Sequence, residues 1–426
     1  MSNDVIRTVT SEIVVLGAGP AGLAAALSAH SEGAQVLIIE RENRCGGILK
    51  QCIHDGFGLI RYKEKLTGPE YALRDYKKAV TNKITILTNT FVIDVRKDAQ
   101  KYLLYCMNEQ GAFIAEASAL ILATGCRERT DRQIFLHGER PAGIYTAGLA
   151  QHFVNIDGYL PGKKIIILGS GDIGLIMARR LTLEGAEVLG VYEVKSEPSG
   201  LERNIAQCLH DYNIPLHLSC TVKTVHGNDR VTGVTVVHVN EKGDEISGTE
   251  EYIACDCLIL SVGLIPENEI AQNLNVPLDA STKGPFVDQS MHTLVDGIFA
   301  CGNAVHVHEL VDYVSESGEI AGKSAALWIR EKKPRALLHL AHDDTLLYHV
   351  PQFINTNLKG GVSIFFRSRK AYTQKINLCM TQKNTGTSVF LKKYSSLRPS
   401  EMEKVVLFDI SQITANMTLG LEGLYE

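Results

Sequence analysis

The chain lacks any run of about 18 apolar residues, so no membrane-spanning helix is expected. Its opening stretch, Met1 to Ser11, is polar and has no apolar core of the secretory type. Its ten cysteines show no small-domain spacing, which excludes a disulfide-stapled scaffold and points to a reduced, cytoplasmic setting. Positive charge is not in surplus: the net charge is -5, which gives no case for nucleic-acid binding. No catalytic triad or carboxylate pair stands out. The pair His306 and His308 is too little for a metal site, so no metal is expected.

In bulk the chain is ordinary for a globular protein, with 45% apolar and 21% charged residues. A length of 426 residues holds two or three domains, each with a sizeable core. Charge is uneven, because Glu331 to Glu426 carries roughly +5 and the remainder about -10. The plain reading is a solvated basic face, and the sharper one a docking surface for an acidic partner.

The positive signal is a repeat. Gly17-Ala18-Gly19-Pro20-Ala21-Gly22 is answered about 150 residues later by Gly169-Ser170-Gly171-Asp172-Ile173-Gly174. Each hexad has strand, helix and strand around it. Ile13 to Leu16 precedes the first, Leu23 to Ala29 follows, and Gln35 to Ile39 ends at Glu40. Ile165 to Leu168 precedes the second, Leu175 to Leu183 follows, and Glu187 to Tyr192 ends at Glu193. In such a unit the first glycine allows a tight turn and the second lets the backbone approach a pyrophosphate. The third brings helix onto strand, and the helix N-terminus presents free N–H groups to the phosphates. The terminal carboxylate accepts hydrogen bonds from ribose hydroxyls. Two such units imply two dinucleotides in one chain, and so a hydride relay.

The repeat runs further. Ile84 to Leu87, Thr90 to Val95, Tyr102 to Asn108 and Ala112 to Ala117 lead into Ala119 to Gly125. In the second half Thr221 to Val225, Val231 to Val239 and Glu250 to Ala254 lead into Cys257 to Gly263. A strand at Gly297 to Asn303 and a helix over about 309–331 follow. The economical fold is α/β: two Rossmann-like dinucleotide-binding domains, the second inserted in the first, plus a small C-terminal all-β sandwich-like domain. The boundaries expected are 1–127 with 281–330, then 128–280, then 340–426. The last domain rests on Val362 to Arg369, Lys375 to Met380, Ser388 to Lys393, Lys404 to Phe408 and Met417 to Leu421, with turns such as Asn384-Thr385-Gly386 between them.

These features resemble the flavoproteins with two dinucleotide-binding domains that are related to the pyridine nucleotide-disulfide oxidoreductases. The likeness covers about 1–330 and is carried by both hexads, Glu40, Ala123-Thr124-Gly125, Glu193, and Thr293 to Asn303. It implies FAD at the first hexad and NAD(P)H at the second. The implied FAD contacts are Gly17, Gly19, Pro20, Ala21, Gly22, Glu40, Arg41, Gly47, Ala123, Thr124, Gly125, Gly302 and Asn303. The implied NAD contacts are Gly169, Gly171, Asp172, Ile173, Gly174, Glu193 and Gly263. One position departs, since the family's late motif ends Gly-Asp and this chain has Gly302-Asn303. Asparagine accepts through its carbonyl oxygen but without the charge.

A narrower likeness exists. Cys45 to Gly58, Arg140 to Gly148, His306 to Asp312 and Arg398 to Met402 resemble the NAD/FAD oxidoreductase subunits that accompany bacterial glycerol-3-phosphate dehydrogenase. More distantly they are similar to the large subunits of sarcosine and opine oxidases. This implies an electron-transfer subunit with a flavoprotein dehydrogenase partner, in an oligomer.

Glu193 favours the free 2′-hydroxyl of NAD over the phosphate of NADP, although Lys195 blurs the choice. The family's disulfide reductases carry Cys-x4-Cys after the first unit, or Cys-x-x-Cys in the nicotinamide domain. Neither spacing is present, so a dithiol–disulfide reductase is not expected. Cys52 is a candidate to tune the flavin as a thiolate, with an inert buried thiol as the alternative. His54 is a candidate for proton transfer, with a structural role as the alternative. Cys126 to Arg129 reads as salt-bridged linker. The expected activity is therefore hydride transfer between NAD(H) and flavin, with the substrate-oxidising site on another chain. The alternatives are a self-contained NADH dehydrogenase or oxidase using a quinone, oxygen or a small acceptor, and a non-enzymatic flavin-bound scaffold or redox sensor.

Overall fold

A computed structural model describes residues 7–382, 385–411 and 413–423. Asn384 of the expected turn, and Met1 to Ile6, lie outside them. The chain forms two compact units. One holds the chain to Cys126 and again from Pro266 onward, and the other is Arg127 to Ile265.

The first unit opens with β1 (Arg7–Leu16), α1 (Pro20–Ser31) and β2 (Val36–Ile39). It continues with α2 (Gly68–Thr81), β3 (Thr85–Leu87), β4 (Phe91–Asp98), β5 (Lys101–Asn108) and β6 (Gly111–Leu122). The sheet order is β3-β2-β1-β6-β5-β4. The two strands expected at Ala112 to Ala117 and Ala119 to Gly125 are one. β1 is also longer than its apolar core, and its polar half pairs with Phe113 to Ala117 as its apolar half pairs with Ala119 to Leu122. Register places Leu16 beside Ile39 and Leu122, so Gly17, Glu40 and Ala123 emerge at one edge. Ligands of open parallel sheets bind at that carboxyl edge.

The second unit carries β7 (Ile144–Thr146), β8 (Lys164–Leu168), α3 (Asp172–Leu183), β9 (Glu187–Glu193), α4 (Glu202–Cys208) and β10 (Leu216–Leu218). An antiparallel layer of β11 (Cys220–His226), β12 (Gly233–His238) and β13 (Glu251–Ile253) precedes β14 (Cys257–Leu260). The parallel sheet runs β7-β14-β8-β9-β10. The chain returns to the first unit at Pro266 rather than near 281, because Ala271 and Val276 pack into that unit's core.

After the return, β15 (Ile298–Ala300) pairs parallel with β6, and α5 (Val311–Glu331) lies along α1. Small residues set that contact. A Cβ on Gly318 would sit 2.2 Å from the Ala21 carbonyl oxygen, and one on Gly322 2.0 Å from that of Ala25. The last segment forms β16 (Leu337–His342), β17 (Leu346–Val350), β18 (Phe353–Asn355), β19 (Val362–Ser368), β20 (Ile376–Thr381), β21 (Ser388–Tyr394), β22 (Glu403–Leu407) and β23 (Met417–Gly423). They make two sheets, β18-β16-β23-β20-β21 and β17-β19-β22, around Ile364, Phe366, Leu378 and Leu419. The pairing is antiparallel except between β16 and β23. This β layer has its own core yet belongs to the first compact unit, tied to it by ion pairs Arg367–Glu309 and Lys404–Glu316, each at 2.6 Å. No described helix is long and apolar enough to cross a membrane.

Candidate functional site

In the first cradle two of the three glycines answer to the chain's own packing. Gly17 has φ +102°, and a Cβ there would lie 2.5 Å from the Ala123 carbonyl oxygen. A Cβ on Gly22 would lie 1.9 Å from the Gly17 carbonyl oxygen. Gly19 is different. Its φ of -73° and ψ of -175° suit any residue, and a Cβ would meet only Gly47 Cα at 3.9 Å. Neither backbone strain nor crowding inside the protein requires glycine there, and the space beside its Cα is open. α1 begins at the next residue, Pro20, with no side-chain cap on its first N–H groups. Those of Ala21 and Gly22 receive no side-chain cap, the arrangement in which a helix N-terminus can receive an anion.

Glu40 is buried at this edge. Its Oε2 accepts from the Ala18 N–H at 2.7 Å and its Oε1 from the Glu42 N–H at 2.9 Å. A carboxylate has about four acceptor positions, so roughly two remain for hydroxyls. Gly46 N–H donates to the Ala18 carbonyl at 2.8 Å, and Gly47 packs against Gly19. Ala123 N–H donates to the Leu16 carbonyl at 3.0 Å, Thr124 Oγ1 donates to the Glu267 carbonyl at 2.6 Å, and Gly125 follows. Gly302 N–H donates to Ser317 Oγ at 2.8 Å, and Gly302 itself packs on Ala21.

Several expected contacts are committed elsewhere. Arg41 pairs with Glu267 at 2.9 Å. The Arg41 side chain is 55% exposed, so Arg41→Ala should cost under about 1 kcal/mol in a urea titration. Asn303 accepts from the His308 N–H at 3.0 Å and donates through Nδ2 to Cys126 Sγ at 3.5 Å. Cys52 ends a short 3-10 turn, and its thiol donates to the Ile48 carbonyl at 3.4 Å. Burial pushes this thiol up to about 12, so the thiolate reading loses its support. Cys45 is pushed up to about 11 by burial and by the nearby Glu40. His54 sets Nδ1 3.2 Å from the Asp55 carbonyl, and its ring lies tilted beside that of Phe57.

His306 and His308 are buried, with ring centroids 3.9 Å apart, beside Phe365. Burial drives His306 well below its ordinary value and His308 down to about 4. His349 falls to about 4 and His292 to about 3 by the same cause. The unfolded chain takes up these protons near pH 6.5, and the folded chain only well below it. Stability is therefore full above about pH 6.5 and lost as pH falls toward 4. The urea midpoint should drop through that window, each ring contributing up to about 1.4 kcal/mol per pH unit. A flat midpoint from pH 7 to 5 would contradict this.

The second cradle repeats the first. A Cβ on Gly169 would lie 2.2 Å from the Ser261 carbonyl oxygen, and one on Gly174 2.7 Å from the Gly169 carbonyl oxygen. Gly171, at φ -64° and ψ 160°, is again not held to glycine by backbone strain or crowding, since a Cβ would meet only Ser261 Oγ at 3.7 Å. Glu193 is buried. Its Oε2 accepts from Ser170 N–H at 3.1 Å and Ser170 Oγ at 2.5 Å, and its Oε1 from Lys195 N–H at 3.1 Å. Asp172 is turned inward: its Oδ1 accepts from Leu201 N–H at 2.9 Å and Asn204 Nδ2 at 2.7 Å, pinning the start of α4. Its side chain is thus structural. Ile173 packs on the unit's core, and Gly263 closes the turn after β14.

A family model described as pyridine nucleotide-disulphide oxidoreductase matches residues 11–328. A thioredoxin reductase of Mycoplasma genitalium is 26% identical over 297 residues, spanning 68% of this chain and 86% of that protein. One of the subunits of the opine oxidase of Agrobacterium tumefaciens is 23% identical over 343 residues, covering 74% of this chain and 64% of its own length. In fold, the thioredoxin reductase of Lactococcus lactis superposes with a TM-score of 0.64 at 20% identity, covering 75% of this chain and 99% of that one. These findings correct one expectation. The chain was not expected to be a dithiol–disulfide reductase, yet thioredoxin reductases recur among its relatives in both sequence and fold. The spacing argument excluded only the cysteine arrangements it enumerated, and says nothing of acceptors reached in other ways.

Proposed function

The chain belongs to the pyridine nucleotide-disulphide oxidoreductase family, and from that premise we propose that it works as an electron-transfer subunit between NAD(H) and a partner dehydrogenase. FAD and NAD(P)H are its cofactors, and bound together they would supply the hydride donor and acceptor. The observation that carries the reading is the pair of glycines, Gly19 and Gly171, that neither backbone conformation nor internal packing explains.

The residues fit those cofactors. Gly19 and the opening of α1 would admit and hold one pyrophosphate, and Gly171 and α3 the other. Glu40 and Glu193 would each accept from a ribose diol, held in place by the backbone N–H groups already bound to them. No acid–base constellation is needed for hydride transfer, which depends on alignment. A substrate-oxidising site on another chain fits the likeness to the opine oxidase polypeptide, and glycerol 3-phosphate is the substrate that the narrower sequence likeness implies.

A second reading is favoured by the thioredoxin reductase relatives: the chain alone passes electrons to a disulfide. Anaerobic titration of the purified flavoprotein separates the two. Bleaching of the visible flavin absorbance by NADH is expected in both. Steady turnover of the isolated chain with a thioredoxin-type disulfide would favour the second, and turnover only with a partner flavoprotein the first. A flavin that neither NADH nor NADPH bleaches would overturn both.

A further inference from the structure

Arg129, read from the sequence as part of a salt-bridged linker, has no such role in the fold. Among the described residues its guanidinium has neither an ion pair nor a side-chain hydrogen bond. Its backbone N–H donates to the Gly263 carbonyl at 3.0 Å. Its side chain lies along the same turn: a Cβ on Gly263 would meet only Arg129 Cδ and Nε, each at 3.9 Å. Gly263 holds φ +102°, so the turn both requires glycine and leaves room for this cation.

The turn lies at the second cradle. Ser261, two residues before Gly263, touches the positions a Cβ would take on Gly169 and Gly171. Arg129 therefore stands at the carboxyl ends of β8 and β14. The hexad Gly169 to Gly174 has no basic residue of its own, and the acidic groups nearest it are Asp172 and Glu193. A cation beside a dianionic pyrophosphate placed there would add charge-assisted hydrogen bonds to those of the α3 N-terminus.

Which phosphate it meets follows from the strand order. β9, carrying Glu193, and β14, whose following turn at Gly263 meets Arg129, flank β8 on opposite sides. With the adenosine ribose at Glu193, the rest of the dinucleotide runs toward β14. We propose that Arg129 binds the pyrophosphate of the nicotinamide dinucleotide, away from the 2′ position that separates NAD from NADP. This rests on the assignment of the second cradle to NAD(H).

The test uses the FAD-loaded protein, with NADH and NADPH as reductants and ADP-ribose and AMP as competitors. Arg129→Ala should weaken NADH, NADPH and ADP-ribose alike by about ten-fold or more, as loss of a charge-assisted hydrogen bond predicts. AMP, which lacks the pyrophosphate, should change by less than about two-fold, and the NADH to NADPH ratio should hold. Arg129→Lys should recover part of the loss. Unchanged ADP-ribose affinity in Arg129→Ala would overturn the inference and leave the functional reading standing. A shifted NADH to NADPH ratio would overturn it too, by placing Arg129 at the 2′ position. Failure of the unaltered protein to bind ADP-ribose would instead sink the NAD(H) assignment itself.

Discussion

A Gly171→Val protein should fold, keep its FAD and lose reduction by NADH by about 100-fold or more. The backbone at Gly171 is of ordinary extended type, so valine adopts it without strain. Beyond its sequence neighbours, its Cβ would meet no chain atom nearer than Ser261 Oγ at 3.7 Å. The cost to stability is that of a poor helix cap, about 1 kcal/mol. The added methyls fill the space that a pyrophosphate needs to reach the first N–H groups of α3. Two charge-assisted hydrogen bonds at about 1.5–3 kcal/mol each are then at stake, which is consistent with a loss of that size. Anaerobic stopped-flow reduction reads the effect, and bound flavin per chain reads the control. Wild-type reduction rates would show that phosphate does not pass Gly171. Gly19→Val makes the parallel case, with the flavin itself lost.

A Gly318→Val protein should behave in the opposite way, failing in the scaffold. Its Cβ would enter to 2.2 Å from the Ala21 carbonyl oxygen, a backbone atom that cannot rotate aside. α1 and α5 must move apart along a contact that also includes Gly322 and Ala25. Overpacking of this kind costs about 1–3 kcal/mol, and a backbone obstacle places it at the upper end. α1 cannot move without disturbing Gly22, Gly17 and Ala123, which pack directly on one another at the first cradle. The expected protein has a lowered urea midpoint and little bound FAD. Full flavin content with an unchanged midpoint would mean that the helices can separate without disturbing the cradle. Measured together, the two variants separate a glycine kept for a ligand from a glycine kept for packing.

The hexads, their flanking strands and helices, and the carboxylates ending β2 and β9 are all legible in the chain, because each depends on neighbours within a single βαβ unit. The side chains around them are less so. Asp172 reads as a nucleotide contact, yet residues 29 and 32 positions away claim it. Arg41 is claimed by Glu267, 226 positions away. Asn303 has its amide on Cys126, 177 positions away. Spacing along a chain carries no information about such partners. The strands Leu337 to Asn355 are obscured for a related reason: histidine, aspartate and proline interrupt their alternation, and only the paired sheet makes them strands.

The sequence by itself determined that two glycine turns open two helices beside two buried strands, since that outcome is local sterics and hydrogen bonding. Only the tertiary structure decided which glycines are crowded by the chain and which face open space. It also decided which charged groups are spent within the protein and that Arg129 is not. These are matters of what stands within a few ångströms of an atom, and long-range packing alone sets that.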